Sequence, residues 1–595
     1  MLQVIERDGT RRVVADSTEA LTILRHSTSH LMALAVLHLF PGTHLGIGPA
    51  TDDGFYYDFQ LDHALTEEDL ARIEEKMREL AAADLPFEPA VIGLAEAQRV
   101  FDEMGEALKC ELIDEKAGEM LSCYRLDKLY DFCLGPHVVS SGALKVFKLL
   151  SIAGSYWRGD ERRPQLQRIY GTAFPTQAEL DAYLAFLEEA RKRDHRRLGR
   201  ELDLYSIQDG AGAGFVYWHP KGALIRHLIE DFWKNEHFRR GYELVNIPHL
   251  ARHNLWRTSG HYDYYKENMY TLTIDEEEYV VKPMNCPGHI LIYKNRLHSY
   301  RDLPVRFAEL GTVYRYEKSG VLHGMLRVRG FTQDDGHIFC TPDQIVDELG
   351  GVLDLCLFFM QTFGFEQYQV ELSVRDPERK EKYAGTDEEW EMAEAGLVQA
   401  MEVRGIPYTR MEGEAVFYGP KIDFKLVDAI GRKWQCSTVQ FDFNLPRRFD
   451  VNYVAPDSKE HHVFMVHRAI MGSLERFFGT LVEHYAGAFP IWLSPEQAWV
   501  IPVSEKFADY ARTVARRLQA EGLRVRLDDR NEKVGYKIRE AQVQKIPYML
   551  VVGGREQEQG TVSVRNRHEG DLGAMELDKF AGLVKSHIDS RAIRP

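Results

Sequence analysis

The sequence predicts a multidomain protein of the α/β and α+β type. First, a chain of 595 residues is long enough for roughly four domains, each with its own core. Second, apolar and polar residues alternate along both arms of the segment 307–339, which is typical of paired antiparallel strands. Third, strand and helix patterns alternate from about residue 494 onward, which is typical of parallel strands joined by helices.

Changes in composition divide the chain into five segments. These are an N-terminal tail (1–20), an α+β domain (21–175), a linker helix (176–200), a core with an antiparallel sheet (201–493) and an α/β domain (494–595). The linker helix is predicted from apolar residues at helical spacing between Leu180 and Leu187, followed by the basic run RKRDHRRLGR at 191–200. The charge of that run favours a solvated face, with a nucleic-acid contact as the alternative.

Composition excludes a membrane protein and indicates a cytoplasmic one. The apolar run from His30 to Phe40 is too short and too rich in histidine to span a bilayer, and the N-terminus has no signal-peptide pattern. Seven cysteines, an odd and scattered set, predict reduced thiols. The formal charge of −17 argues against a nucleic-acid partner but does not exclude one, because phosphate contacts need only a local basic surface.

The segment 307–339 carries more charge than strands usually bury. Side chains on a strand repeat every second residue, so Arg315 and Glu317 share one face. On the returning arm, the same rule places five polar residues on one side, with a bend expected at Gly330. They are Arg327, Arg329, Gln333, Asp335 and His337. This face suits a nucleotide at its arginine end and a metal or small cation at its Asp/His end. The alternative is an exposed hairpin held by surface ion pairs.

The N-terminal region brings together residues of metal-ligand type. His26 and His30 lie at positions i and i+4 on one predicted helix face, and Cys133 and His137 add a thiol and a third imidazole. Taken alone, this spacing reads first as a zinc site. The chain lacks the GxxxxGK[ST] loop, so a P-loop nucleotide site is not expected.

Three segments together resemble the signature motifs of class II aminoacyl-tRNA synthetases. The segment 307–339, with Arg315-Tyr316-Glu317, is similar to motif 2. GYELVNIPHL at 241–250 is similar to motif 1, and GSLERFFG at 472–479, with Arg476, is similar to motif 3. The resemblance implies an antiparallel sheet core with helices, and a homodimer formed through motif 1.

Within this class, the chain resembles the threonyl-tRNA synthetase family, from about residue 21 to near the C-terminus. The segments that carry the resemblance are MNCPGH (284–289), RVRGFTQDDGHIF (327–339), FYGPKIDF (417–424), WQCSTVQFDF (434–443) and MVHRAI (465–470). It implies ATP-dependent ligation of L-threonine to tRNA(Thr) through a threonyl-adenylate. Bacterial members usually begin with a small extra N-terminal domain, which is expected to be absent here.

The resemblance also implies one zinc ion per subunit, bound by Cys286, His337 and His467. The spacing of these residues does not by itself indicate a metal site. Three N/S ligands leave coordination positions open, which the amino and hydroxyl groups of threonine can occupy. Asp335 is expected to hold the ammonium group or to accept a hydrogen bond from the substrate. The supporting polar contacts are expected from Gln333, Tyr418 and Gln440.

For ATP, a guanidinium fork suits bidentate contact with phosphate. We therefore expect Arg315 to bind the α-phosphate and Glu317 the adenine amino group. Arg327 and Arg476 are expected to hold the distal phosphates together with Mg²⁺. Lys421 and Gln435 are expected to line the same site.

A second, hydrolytic site is expected because threonine and serine differ by a single methyl group. A missing methyl is worth only about 1–3 kcal/mol, too little for accurate translation, whereas a site that binds a hydroxyl rejects valine strongly. In the family, the residues that match His26, His30, Cys133 and His137 form the pocket that deacylates seryl-tRNA. Secondary candidates are Tyr57, Lys109 and Asp131. A structural metal cluster remains the alternative.

The segment 494–595 resembles the anticodon-binding domain of several class II synthetases. Within LDDRNEKVGYKIRE, Asn531 is the first candidate for an anticodon contact, and Arg565 is the second. Lys545 and Glu556 are further candidates, and solvated surface charge is the alternative. Two other functions stay open for the whole chain, a synthetase of the prolyl or histidyl type and a synthetase-like protein without catalysis.

Overall fold

The computed structural model describes residues 1–115, 120–160, 162–260, 262 and 266–593. The chain forms two compact units, Met1–Glu188 and Glu189–Pro595, and the boundary lies within helix α5 (Gln177–Arg193). No helix in the described part of the chain is long and apolar enough to cross a membrane.

In its described residues, the first unit combines three small sheets with four helices. Its strands are β1 (Leu2–Ile5), β2 (Arg11–Val14), β3 (His44–Leu45), β4 (Ala50–Thr51), β5 (Gly54–Gln60), β6 (Glu88–Gly93), β7 (Met120–Leu126), β8 (Leu129–Phe132), β9 (His137–Val138), β10 (Phe147–Tyr156) and β11 (Gln165–Ala173). Its helices are α1 (Ser17–Leu39), α2 (Glu67–Ala82), α3 (Leu94–Glu103) and α4 (Ala107–Asp114). The sheets have the strand orders β2-β1-β9, β10-β11-β5-β3 with β4 beside β5, and β6-β7-β8.

Helix α1 runs through the core of this unit. Asp16 caps its first turn by accepting a hydrogen bond from the Glu19 amide at 2.8 Å. From Ile23 to Val36, the helix is buried almost without interruption, and it packs against β5, β9 and β11. A helix that is covered on nearly all sides holds its polar residues in fixed positions, and two of these residues are His26 and His30.

The prediction of a tail over residues 1–20 is wrong. Strands β1 and β2 form a hairpin, and β1 also pairs with β9, where Ile5 lies opposite His137. Val4 and Val14 are fully buried beside Ile23 of α1. Val4 and Val14 lie on the buried face of the hairpin, whereas Gln3 and Val13 are exposed, so burial of one face stabilises a segment that composition alone describes as polar.

The second unit contains the core sheet. Its strands are β12 (Tyr205–Ile207), β13 (Val216–Trp218), β14 (Glu243–Leu244), β15 (Leu250–Arg252), β16 (Tyr270–Ile274), β17 (Glu277–Val281), β18 (Val305–Tyr314), β19 (Gly330–Cys340), β20 (Gln367–Val374), β21 (Thr409–Glu412), β22 (Lys421–Val427), β23 (Lys433–Asp442), β24 (Asn452–Val454), β25 (Glu460–His462) and β26 (Phe464–Ser473). Its helices are α6 (His195–Glu201), α7 (Pro220–Arg239), α8 (Asn254–Thr258), α9 (Cys286–Tyr293), α10 (Ile345–Thr362), α11 (Asp387–Glu402), α12 (Leu445–Arg448) and α13 (Leu474–His484).

Eight strands form one sheet in the order β14-β18-β19-β26-β23-β22-β20-β21. All of its pairings are antiparallel except those of the edge strands β14 and β21. Helices α10 and α13 pack on one face and bury the largest apolar cluster of the protein. The predicted antiparallel core is confirmed, and its central strands β19, β26 and β23 present their other face to the candidate site.

The C-terminal segment forms a five-stranded mixed sheet. Its strands are β27 (Ala498–Pro502), β28 (Val525–Leu527), β29 (Tyr548–Val552), β30 (Thr561–Asn566) and β31 (Gly570–Glu576), and its helices are α14 (Ala508–Ala520), α15 (Val534–Val543), α16 (Gly554–Gln559) and α17 (Leu577–Asp589). Strands β27, β28 and β29 are parallel, as predicted, whereas β30 and β31 add antiparallel pairs.

The linker predicted over 176–200 is interrupted. Helix α5 ends at Arg193, and Asp194 starts α6 by accepting a hydrogen bond from the Arg196 amide at 2.8 Å. The basic run is largely exposed, and its arginines pair with nearby carboxylates such as Asp194 and Glu201. Within this run, His195 is fully buried, and Leu198 is also buried.

Candidate active site

A cavity of about 650 Å³ lies over the central strands of the core sheet, a volume typical of small-molecule sites. The alternation predicted for 307–339 is confirmed, because Phe331, Gln333 and Asp335 line the cavity, whereas the carboxylate of Asp334 points to the opposite side of the strand. Strand β19 begins at Gly330, the position at which the bend is predicted. Arg329 does not line the cavity, and its guanidinium donates to the Glu317 carbonyl oxygen at 2.9 Å.

One end of the cavity holds four of the residues predicted to bind ATP, Arg315, Glu317, Arg327 and Arg476. The guanidinium of Arg315 lies 5.3 Å from the centroid of the Phe331 ring and donates to the Pro283 carbonyl oxygen. Arg327 and Glu317 pair with each other at 3.0 Å. The structure thus brings the motif 2 and motif 3 arginines together, and it occupies the Glu317 carboxylate with an internal partner.

At the other end of the cavity, Cys286 and His467 line the wall, and the third predicted metal ligand, His337, lies fully buried beside them. His337 on β19 and His467 on β26 lie directly opposite each other, and Cys286 is the first residue of α9. The three ligand atoms lie within 4.8 Å of one another. Nε2 of His337 and Nδ1 of His467 are buried without a hydrogen-bond partner. Buried polar atoms are rarely left unpaired, so these two nitrogens fit a bound metal ion.

The second nitrogen of each histidine is held by a neighbour. His467 Nε2 lies 2.7 Å from Oδ2 of Asp442. His337 Nδ1 lies 2.8 Å from Nδ1 of His289, whose Nε2 in turn lies 3.1 Å from Oε2 of Glu309. Such outer partners fix the ring orientation of metal-binding histidines. The sequence analysis did not identify Asp442, His289 or Glu309. Asp442 is the penultimate residue of the segment WQCSTVQFDF, and His289 is the last residue of MNCPGH.

Charge around the ligands also favours a cation. Burial and the neighbouring His289 imidazole lower the pKa of His337 well below its usual range, so its imidazole stays neutral. Burial opposes the charged form of His467, but Cys286 and Asp442 outweigh burial and raise its pKa to about 10. A metal ion bound at His467 would therefore compete with a proton.

The predicted substrate contacts surround this end of the cavity. Gln440 pairs with His467 across β23 and β26, and its Oε1 accepts a hydrogen bond from the Tyr418 hydroxyl at 2.7 Å. Asp335 accepts a hydrogen bond from Asn285 Nδ2 at 3.1 Å. Lys421 differs from its prediction, because it does not line the cavity and its ammonium pairs with Asp423 on the same strand. Gln435 lines the cavity as predicted.

A further missed residue, Asp334, shapes the start of motif 3. Its carboxylate accepts hydrogen bonds from the amides of Ile470, Met471 and Gly472 at 2.9–3.0 Å. These three residues form a bulge that shifts the register between β19 and β26. The bulge sets the position of Ser473, which caps the helix that carries Arg476.

In the first unit, the predicted cluster of histidines and a cysteine is present. Ligand atoms of His26, His30, Cys133 and His137 lie within 4.8 Å of one another, and Cys133 Sγ lies 3.1 Å from His137 Nε2. Ser27 bonds Nδ1 of His137 at 3.0 Å.

The secondary candidates extend the same cluster. The rings of Tyr57 and His30 are 6.4 Å apart, and the Tyr57 hydroxyl and the Lys109 ammonium both donate to the buried Asp131 carboxylate. All seven residues predicted for this site are therefore connected by contacts.

Burial decides the protonation of this cluster. It lowers the pKa of His26 to about 4 and that of His30 to about 3, and it lowers the pKa of His137 well below its usual range. Burial also raises the pKa of the Cys133 thiol well above its usual range. At neutral pH the site therefore holds three neutral imidazoles, which can accept protons or orient water. The Cys133 thiol stays protonated, so it does not form a thiolate nucleophile.

Family models match three parts of the chain. They describe the tRNA synthetase class II core domain (G, H, P, S and T) over residues 270–485, an anticodon binding domain over 497–587, and the threonyl and alanyl tRNA synthetase second additional domain over 121–170. The chain is also 54% identical over 577 residues to a threonine–tRNA ligase of Acidobacterium capsulatum, covering 96% of this chain and 85% of that protein. It belongs to the threonine–tRNA ligase family.

Two further comparisons agree with this membership in the threonine–tRNA ligase family. A threonine–tRNA ligase of Caldanaerobacter subterraneus is 52% identical and covers 99% of this chain and 91% of its own length. The crystal structure of the RNA binding domain of threonyl-tRNA synthetase from Cryptosporidium parvum has a TM-score of 0.63 and 40% identity, covering 66% of this chain and 98% of that chain.

The fold alone does not separate the threonine–tRNA ligase family from its neighbours in the class. Prolyl-tRNA synthetase from Cryptosporidium parvum has a TM-score of 0.52 at 15% identity, covering 67% of this chain and 75% of that chain. The prolyl-tRNA synthetase structure shares the fold over 67% of this chain, and sequence identity over nearly the whole chain decides between the two families.

The anticodon-binding domain of this threonine–tRNA ligase places its four candidates at different points. Asn531 is exposed in the loop that leads into α15, and Arg565 pairs with Met549, on the sheet face that α15 covers. Glu556 caps α16 by accepting a hydrogen bond from the Gly553 amide at 2.9 Å. Lys545 follows the other end of α15, about 15 Å along the helix from Asn531. Lys545 therefore lies apart from Asn531.

Proposed function

We propose that this threonine–tRNA ligase forms threonyl-adenylate in the cavity described above and then transfers threonine to tRNA(Thr). The observation that carries the proposal is the arrangement of one cavity, with a Cys/His/His set at one end and the arginines of motifs 2 and 3 at the other. The two reacting groups, the carboxylate of threonine and the α-phosphate of ATP, meet between these ends.

Cys286, His337 and His467 are the residues that would hold a zinc ion, one per subunit. When bound, zinc supplies a Lewis-acid position that accepts the amino and hydroxyl groups of threonine. The unpaired nitrogens of His337 and His467 support this assignment. The chain offers ligand types that zinc prefers, and three protein ligands leave room for a substrate.

The remaining contacts to threonine come from polar side chains of the cavity. Asp335 is the acceptor for the ammonium group, and Asn285 orients it through the hydrogen bond to Oδ2. Gln333, Tyr418 and Gln440 complete the polar wall. Such a site needs a substrate hydroxyl, because an analogue without one leaves buried polar groups unpaired.

At the other end, Arg315 binds the α-phosphate, and Arg327 and Arg476 hold the distal phosphates of ATP, which arrives with Mg²⁺. An oxygen of the threonine carboxylate attacks the α-phosphorus, the bond to the bridging oxygen breaks, and pyrophosphate leaves. Charge builds on the phosphate oxygens, where prearranged guanidinium groups stabilise it. Glu317 binds the adenine amino group once its ion pair with Arg327 opens. Gln435 contributes to this wall, and Lys421 supports it through Asp423.

Threonine-dependent exchange of pyrophosphate into ATP tests this assignment. We expect Arg315→Ala to reduce the exchange rate by about 10²–10³, the effect typical of removing one transition-state donor. Lys421→Ala is expected to reduce it less, because Lys421 acts behind the cavity wall. Equal exchange by the parent and the Arg315→Ala variant would contradict the assignment.

The first unit is proposed to hydrolyse seryl-tRNA at His26, His30, Cys133 and His137. Three neutral imidazoles support the role, because a general base must be unprotonated to accept a proton from water. Lys109 and Asp131 form a buried ion pair, and the hydroxyl of Tyr57, whose ring lies beside His30, donates to Asp131. We assign to these three residues the positioning of substrate or water. Water attacks the ester carbonyl carbon, and the ribose oxygen leaves with a proton.

Two further assignments concern partners. We propose that Asn531 and Arg565 read anticodon bases, with Glu556 and Lys545 in supporting roles.

We also propose a homodimer through motif 1, which exposed apolar side chains support. These are Phe238 at 58%, Leu244 at 37% and Leu250 at 43%, and among the described residues β14 pairs on one side only, at the edge of the core sheet. All seven cysteines are free thiols, which supports a cytoplasmic location.

A further inference from the structure

A third cluster of ligand-type side chains lies outside both sites already described. It consists of Asp194, His195 and Glu483, whose ligand atoms lie within 4.8 Å of one another. His195 is fully buried, in contrast to the exposed arginines around it. The cluster therefore raises the question of whether it binds a metal or has another role.

The hydrogen bonds of His195 leave no lone pair for a metal. The amide of Met325 donates to His195 Nε2 at 3.1 Å, so Nε2 is an acceptor and carries no proton. The proton then lies on Nδ1, which donates to Oε1 of Glu483 at 2.6 Å. Both ring nitrogens are in use, and the imidazole is fixed in one orientation and one tautomer.

Glu483 has two further partners besides the His195 imidazole. Its Oε1 also accepts a hydrogen bond from the His195 amide at 3.0 Å, and its Oε2 pairs with Nη2 of Arg432 at 2.6 Å. Arg432 in turn pairs with Asp428. This buried carboxylate is therefore compensated by an arginine, and it anchors the histidine to the last turn of α13.

The partner of His195, Met325, belongs to the turn that leads into Arg327. Within this turn, the His323 amide donates to the Arg327 carbonyl oxygen at 3.1 Å, and the Leu326 amide donates to the His323 carbonyl oxygen at 2.9 Å. The side chain of Met325 is fully buried in the main core. Arg476 donates from Nε to the Leu326 carbonyl oxygen at 3.2 Å. The turn is thus tied to His195 at one residue and to Arg476 at the next.

The turn and the histidine are packed as closely as backbone allows. Gly324 has a φ of +49°, and a Cβ placed on it would lie 2.1 Å from Nε2 of His195. On the other side, a Cβ on Gly479 would lie 3.3 Å from the Cβ of Met325. A side chain at Gly324 would displace the turn, so glycine at this position permits the bond between Met325 and His195.

We propose that His195 is a positioning residue for ATP, which fixes the turn 323–327 so that Arg327 and Arg476 meet the phosphates together. The proposal rests on the function proposed above. His195 touches no substrate, and it acts only through the Met325 amide. The basic run of the linker therefore contributes one buried residue to the reaction, and its exposed arginines are not needed for this role.

Two substitutions separate the two nitrogens of the ring. In His195→Gln, the amide oxygen takes the place of Nε2 and still accepts from Met325, whereas the bond to Glu483 is lost. In His195→Asn, the shorter amide takes the place of Nδ1 and keeps the bond to Glu483, whereas the Met325 amide is left unpaired. Both variants remove an aromatic ring from the same buried position, so each serves as the control for the other.

We expect His195→Asn to raise the KM for ATP in threonine-dependent pyrophosphate exchange by about tenfold, with the KM for threonine unchanged. His195→Gln is expected to stay within about twofold of the parent in both constants. Equal effects of the two variants, or an effect on both substrates, would reduce His195 to a structural residue and overturn the proposal. A parent without exchange would instead overturn the proposed function itself.

A second pair of variants approaches the same contact from the turn. Gly324→Ala is expected to raise the KM for ATP as His195→Asn does, whereas Gly320→Ala, in the same loop but with open space around it, is expected to leave the KM for ATP unchanged.

Measurement of the metal content gives the last check. Zinc per chain is expected to be unchanged in the His195 variants, and a loss of one equivalent would mean that the cluster binds a metal and would overturn the proposal.

Discussion

The Nδ1 atoms of His289 and His337 lie 2.8 Å apart, and this contact fixes which nitrogen of His337 faces the candidate metal position. His289 directs Nε2 to the carboxylate of Glu309, so the proton of His289 lies on Nε2 and its Nδ1 is an acceptor. His337 must then donate from Nδ1, which leaves its Nε2 with a free lone pair. The Glu309 carboxylate, acting through His289, thus leaves Nε2 of His337 free to bind a metal.

The first prediction follows from this relay. His289→Phe removes the acceptor for His337 at similar volume, and we expect the affinity for zinc to fall by about 10–100-fold, the usual effect of losing an outer partner. Competition with a chromophoric chelator measures the affinity directly. His298→Phe is the matched control, because His298 is also buried and stacks on Tyr293, away from the three ligands. Equal zinc affinity in His289→Phe and the parent would contradict the relay.

The second prediction concerns the first unit. Replacing His26 and His30 together by Ala is expected to leave threonylation nearly unchanged while seryl-tRNA accumulates. Cys133→Ser is the informative companion, because burial keeps the Cys133 thiol protonated and a hydroxyl preserves its hydrogen bond. We expect this variant to retain most of the deacylation rate. If the double variant clears preformed seryl-tRNA as fast as the parent, the cluster is not the hydrolytic site and a structural metal takes its place.

The third prediction is a pH dependence of that hydrolysis. Burial lowers the pKa of His26 to about 4 and of His30 to about 3, so both stay unprotonated and able to accept a proton well below pH 6.5. The single-turnover rate of seryl-tRNA hydrolysis is therefore expected to be flat from pH 8 to about pH 5 and to fall only near pH 4. A rate that falls with a midpoint near 6.5, the ordinary value for histidine, would contradict the neutral cluster.

The same shifts predict how the stability of the first unit changes with pH. A histidine whose pKa is lower in the folded state binds fewer protons folded than unfolded, so its contribution is complete above about pH 6.5 and is lost as the pH falls towards 4. We expect the midpoint of thermal unfolding to decrease over that interval. In His26→Ala with His30→Ala, the decrease is expected to be smaller, and an equal decrease would assign it to other groups.

The fourth prediction concerns the C-terminal domain. Asn531→Ala and Arg565→Ala are each expected to raise the KM for tRNA by roughly tenfold, because unstacked loop bases are read through their edges. Pyrophosphate exchange without tRNA is expected to be unchanged. Lys585→Ala is the control, since Lys585 lies on α17, whose apolar side packs against the opposite face of the sheet. Point variants are preferable to deletion, because Arg524 and Arg567 bond the main chain of the core between residues 488 and 494.

The sequence predicts the parts of this protein that local rules govern. Alternation along 307–339 was sufficient to place Gln333 and Asp335 on one face, because a strand has a fixed period of two residues. The spacing of His26 and His30 was sufficient to bring them together on α1. The resemblance to a family, and not spacing, joined Cys286 to His337 and His467, because these residues meet only through the pairing of distant strands.

Other features depend on contacts that no local pattern contains. The segment 1–20 looks polar, but one face of its hairpin is buried against α1 and β9. His195 lies in a run of charge, but its partners Met325 and Glu483 are 130 and 288 residues away along the chain. Lys421 has the right residue type for a phosphate contact, but its ammonium group forms an ion pair with Asp423 on the same strand.

Pyrophosphate exchange by the zinc-loaded parent with threonine, valine and serine tests the proposed amino-acid site most directly. We expect valine to be rejected by about 10⁴ or more relative to threonine, because the site needs a hydroxyl, and serine to be rejected only by about 10–200-fold. Valine exchange within about 100-fold of threonine would show that the cavity selects by shape alone and would contradict a polar, metal-bearing site at Cys286, His337 and His467.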